Sequence, residues 1–175
     1  MISGYLQGLT KVLGLGAAFA AIPLFASMAG LEPPWPPAIG YVSAALVLLA
    51  SLLAWEWTRR TKIRQRRFLI IAATVLTVGG LLAYLVQYSL FVEPIPGTKE
   101  RVVRGFVCSP EARLLYGAAC PDLPRDALRD AEWESLALWT RASVTTVRLG
   151  LAASWLLFTA GLIGAVGAIL AGRKV

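Results

Sequence analysis

Histidine is absent from this 175-residue chain. That removes the commonest metal ligand, the usual haem ligand and the usual general base. Cysteine occurs twice, at Cys108 and Cys120, too few for a zinc site. No glycine-rich phosphate loop follows a strand pattern, and no catalytic dyad stands out. These gaps predict a protein that is not an enzyme and binds no cofactor or metal. Acidic residues are also few, ten against seventeen Lys and Arg, for a net charge of +7. No folded basic domain is present to carry nucleic acid, so none is expected as a partner.

What the chain has instead is apolar residues, 57% of the total, with a mean hydropathy of +0.66. They gather in four runs, 12–30, 38–55, 68–92 and 149–172, none containing Lys, Arg, Asp or Glu. About 20 residues at 1.5 Å each cross the ~30 Å of hydrocarbon in a bilayer. The expectation is an all-α membrane protein with four transmembrane helices. Lys11 ahead of the first run, with Ser27-Met28-Ala29 at its end, would also suit a signal peptide; the length of the run favours a retained span. Spans without charge make a proton- or ion-coupled transporter hard to build. Gln87 is the most polar side chain within a span and could hydrogen-bond to a neighbouring helix.

Charge sets the expected orientation. The loop 58–67 holds Arg59, Arg60, Lys62, Arg64, Arg66 and Arg67 and no acid, while the loop 31–37 has no basic residue. The positive-inside rule then puts both termini and the basic loop in the cytoplasm and 93–148 outside, as for a multi-pass protein of a bacterial inner membrane. The six cations read either as a topology anchor or as a docking site for anionic lipid or an acidic cytosolic or membrane partner.

The outer segment 93–148 is balanced, with eight acids and eight bases. Residues 101–107 suit a short strand or extended arm. Ser109 suits a helix N-cap, Pro110 the first helical position and Gly117 the end of a short helix lying between the cysteines. Outside the cytoplasm a cysteine pair is usually a disulfide. Cys108 and Cys120 therefore read as a staple for a small subdomain between helices three and four. A catalytic pair more often has Cys-x-x-Cys spacing. Leu128, Ala131, Leu138 and Trp139 form an apolar stripe, which predicts an amphipathic helix at about 124–146. That helix either runs into the fourth span, 149–175 with its tail, or bends near 142–146 to lie on the membrane. Trp133 and Trp139 suit an interfacial position on either arrangement.

The spans also carry small residues. Ala160, Gly164, Ala168 and Gly172 recur every four residues in the last helix. Such a face packs either inside the monomer or as a seam between copies. With Ser43, Ser51, Thr74, Thr77, Ser154 and Thr159 available, a homo-oligomeric ring could line a narrow pore.

Helix count, topology and a cysteine pair before the last helix resemble the four-helix membrane quinone reductases that make disulfides. That family uses a second cysteine pair in its first outer loop, and 31–37 has none. Residues 108–155, with Cys-x-Pro, Tyr-Gly, Cys-Pro, Ala-Glu-Trp-Glu, Leu-Trp-Thr and Val-Arg-Leu, resemble small four-span membrane proteins encoded near bacterial conflict and signalling systems. That resemblance implies a defence effector that perturbs the bilayer or forms pores, and it assigns no functional residue. The sequence thus points first to an oligomeric membrane-permeabilising effector or channel. A non-conducting scaffold or accessory subunit comes second and a thiol-disulfide oxidoreductase third.

Overall fold

The computed structural model describes residues 2–36, 39–58, 63–98 and 100–170. It is mostly helical, at 73%. The elements run α1 (Ile2–Met28), α2 (Ile39–Thr58), α3 (Ile63–Phe91), β1 (Val92–Pro94), β2 (Arg101–Val103), α4 (Pro110–Tyr116), α5 (Arg125–Asp130), α6 (Ser135–Leu138) and α7 (Arg141–Leu170). The chain divides into two compact units. One short two-stranded sheet is the exception to the all-α expectation.

Two helical stretches among the described residues, Arg67–Phe91 and Arg141–Ala165, are long and apolar enough to cross a membrane, not the four expected. The described parts of α1 and α2 contain shorter apolar runs, Gly16–Ala26 and Ile39–Ala50. At 1.5 Å per residue each covers only about half of a ~30 Å hydrocarbon layer.

The first unit comprises Met1–Glu32, Ala38–Ala83 and Ser154–Val175. It holds α1, α2, most of α3 and the second half of α7. Gly30, at φ 67°, ends α1. The Leu31 amide donates to the Ala26 carbonyl at 2.7 Å, the long bond of a Schellman cap. Ala20 of α1 packs with Ala44 and Val47 of α2, flanked by Leu24, Leu48 and Ile163. The partners are small, so the backbones come close without large side chains between them.

Approach between α3 and α7 is closer still. A β-carbon on Gly80 would lie 2.6 Å from the Phe158 amide nitrogen, and one on Gly161 would lie 2.8 Å from the Thr77 α-carbon. Gly79, next door, has open space at that position. The buried face also carries a polar tie, in which the Trp155 indole donates to Ser43 Oγ at 2.9 Å. Outward, Phe68, Ile71, Val75 and Leu82 of α3 and Tyr41 and Leu49 of α2 are exposed.

The second unit comprises Pro33–Pro37 and Tyr84–Ala153. β1 follows α3 without a break and pairs antiparallel with β2, in the register Val92↔Val103, Glu93↔Val102, Pro94↔Arg101. Gly97, at φ 81°, supplies the left-handed residue of the connecting turn. The expected short strand is therefore present, shorter than 101–107.

The expected amphipathic helix at 124–146 is not one helix. It is broken into α5, α6 and the start of α7. Glu132 and Trp133 take φ of 50° and 62°, the left-handed region that ends helices. The Trp133 amide reaches back to the Leu128 carbonyl at 2.8 Å. Trp139 is then extended, at φ −121° and ψ 153°, and pairs with Cys108 in an antiparallel bridge. The stripe residues Leu128, Leu138 and Trp139 are buried as their pattern implies, in a core folded from three segments.

Candidate functional site

The most built feature of the second unit surrounds Trp139, which is fully buried. The chain on either side of it exchanges backbone bonds with the segment around Cys108. The Ser109 amide donates to the Leu138 carbonyl and the Thr140 amide to the Val107 carbonyl, both at 2.9 Å. The indole nitrogen donates to the Pro121 carbonyl at 3.2 Å. The Arg104 guanidinium lies 6.0 Å from the Trp139 ring centroid and donates to the Leu123 carbonyl. Gly105 is required beside it, because a β-carbon there would lie 2.6 Å from that of Trp139.

Cys108 and Cys120 form a disulfide, with α-carbons 6.3 Å apart, inside the range a bridge spans. Cys108 is 3% exposed. The loop they close contains α4, whose start follows its sequence signals. Ser109 Oγ accepts from the Ala112 amide at 3.1 Å, and Pro110 opens the helix. Gly117, at φ 42°, ends it. Ser109 Oγ also donates to the Ala137 carbonyl at 3.0 Å, fastening the loop to α6.

α4 buries only Ala112. Leu114 and Leu115 are 88% and 78% exposed, more open than any other large apolar residue of this unit. Beside them is an open groove of about 470 Å³ lined by Val107, Cys108, Pro110, Arg113, Leu114 and Thr140. Its walls are apolar and Arg113 is its only cation. The sequence signals in this stretch mark the ends of the helix and do not single out this surface. The available signal was two adjacent leucines beside Ala112, the one small residue able to face inward.

Elsewhere in this unit, Arg125 Nε approaches Glu93 Oε1 at 2.5 Å, an ion pair without hydrogen-bond angles, and Arg125 is 75% exposed. Such a pair contributes little. Arg101 lies 5.4 Å from the centroid of the Tyr88 ring. A β-carbon on Gly150 would lie 2.6 Å from Gln87 Oε1, so the span's polar side chain is seated against a bare stretch of α7.

The remaining candidate residues fall as follows. Gly164 faces Ala73 of the same chain, where a β-carbon would come within 3.1 Å, while Ala160 is exposed. The proposed small-residue face is thus split, with Gly164 used inside the chain. Arg59, Arg60, Lys62 and Gly172 lie outside the described residues, as do the side chains of Arg64, Arg66 and Ala168. Arg67 is exposed. Trp133 is half-buried; Trp139 lies in the core of its unit and not at an interface, because its main chain pairs with Cys108 and its indole donates to the Pro121 carbonyl. Among the described residues no cluster of three or more cysteine, aspartate or glutamate side chains could hold a metal ion. Comparison with protein families, curated proteins and solved structures finds no match.

Proposed function

We propose that this chain is a multi-pass bacterial inner-membrane protein that works as a self-associating, non-conducting scaffold or accessory subunit. On this reading both termini are cytoplasmic, and residues 93–148 form its outer, partner-facing part. The observation that carries the choice is where the polar groups go. Of the hydroxyls that a pore would need at its lining, Ser43, Ser154 and Thr159 are buried in the chain's own core, at 0%, 4% and 4% exposure. Thr77 Oγ1 donates to the Ala73 carbonyl and Thr74 Oγ1, although exposed, to the Ile70 carbonyl, each within its own helix. The exposed faces of α2 and α3 offer leucine, valine, isoleucine and phenylalanine instead, a surface suited to lipid. Burial of Cys108 favours a staple over a redox catalyst, whose thiol must be reachable.

Reconstitution tests this. Purified protein in sealed liposomes should leave a trapped dye and an ion gradient intact while native mass spectrometry finds more than one copy per particle. Salt-dependent leakage would restore the permeabilising effector as the better reading. A strictly monomeric particle would remove self-association.

A further inference from the structure

We infer that α4 is a self-docking seam, through which the outer unit of one copy binds that of a second copy. The inference rests on the self-association proposed above and names its surface. α4 advances about 100° per residue, so with Ala112 inward Leu114 stands at the outer apex. Arg113 and Pro110 then fall on one flank and Glu111 and Leu115 on the other. The first flank holds the apolar groove and a cation. The second holds an apolar knob, Leu115, and an anion. Neither Glu111 nor Arg113 has a side-chain partner among the described residues.

A two-fold axis parallel to α4 sets the groove flank of each copy against the knob flank of the other. Leu115 then enters the facing groove, and Glu111 meets Arg113, once in each direction. Such reciprocity is what an isologous interface requires. The α4 patch is smaller than the ~800 Å² per partner of a stable interface. It therefore needs the copies held at high local concentration, which confinement to one membrane supplies.

The test uses the full chain in proteoliposomes, mixing heavy-isotope and light copies, with a benzophenone amino acid at Leu115. Irradiation should give heavy–light products joined to residues 107–114 or Thr140. Glu111→Arg or Arg113→Glu alone should cut their yield roughly tenfold, since two pairs become repulsive. The double exchange Glu111→Arg/Arg113→Glu should restore it. Far-UV circular dichroism is expected to match the parent, as these side chains are exposed. Cross-links confined to lipid or to one chain overturn the seam, as does indifference to charge reversal. Photobleaching step counts separate the two failures. Multimers without the cross-link refute only the seam, whereas single-step bleaching refutes self-association as well.

Discussion

Replacing Gly79 and Gly80 by alanine, one at a time, should move stability in opposite directions although the two residues are neighbours on one helix. Alanine gains about 1 kcal/mol over glycine in a helix interior wherever it sits, so that gain cancels when the two variants are compared. What differs is space. At Gly79 the new methyl meets nothing within 4 Å. At Gly80 it meets backbone atoms of α7, at 2.6 Å from the Phe158 nitrogen, 3.0 Å from its α-carbon and 3.1 Å from the Leu157 carbonyl carbon. Backbone cannot rotate away as a side chain does, so the helices must separate. Overpacking of this kind costs about 1–3 kcal/mol. A middle value of ~2 kcal/mol corresponds to roughly 4–8 °C for a chain of this length. Thermal unfolding in mild detergent, followed by tryptophan fluorescence, reads the difference. Gly79→Ala should melt at or above the parent and Gly80→Ala several degrees below Gly79→Ala. Equal melting temperatures, or Gly80→Ala the higher, would refute the close crossing of α3 on α7.

Three further outcomes are expected. The double variant Cys108→Ala/Cys120→Ala should lose about 3 kcal/mol, the chain-entropy value for so short a loop. Limited proteolysis should then cut first within 110–120, and unchanged protease resistance would contradict the staple. Ser43→Ala removes the bond from the buried Trp155 indole to Ser43 Oγ and should cost about 1 kcal/mol, with a changed near-ultraviolet tryptophan signal. No change in either would mean that the indole has another partner. Glu132→Gly should stabilise by about 0.5–1 kcal/mol, because relief of a left-handed side chain, ~1–2 kcal/mol, exceeds the added freedom of the unfolded glycine; a lower denaturation midpoint would sink that account.

The sequence carried the helices and the cap of α4 well, and for physical reasons. Long uncharged runs have few alternatives to helix, and Ser109-Pro110 with Gly117 marks both ends of a short helix by local chemistry alone. It failed at 131–134. Periodicity identified Leu128, Leu138 and Trp139 as an inward set, but a pattern of burial does not say whether the chain between is straight. The reversal there is decided by a distant segment, since 138–140 extends to pair with 107–109, and nothing local to Glu132 or Trp133 announces it. Trp139 was mistaken for an interfacial residue for the same reason. Its indole partner, Pro121, and its cation, Arg104, are remote in sequence. The small residues of α7 were ambiguous because one spacing serves a crossing within the chain or between chains, and only coordinates assign Gly161 and Gly164 to α3.

The paired segments at the base of the outer unit have a consequence for how such a protein diversifies. Val92 follows α3 directly and Thr140 directly precedes α7, and the chain between them is closed at its root by the β1–β2 rungs and by the exchange of backbone bonds between 107–109 and 138–140. These rungs are made of main-chain atoms and tolerate a change of side chain, and the side-chain ties beside them, Ser143 Oγ on the Val107 carbonyl and Arg101 over the Tyr88 ring, involve residues outside the disulfide loop. The disulfide-bounded stretch can therefore be rewritten, lengthened or exchanged for that of another lineage while the helices keep their endpoints. It is a replaceable insert, and recognition can drift there without each change being tested against the packing of α3 on α7.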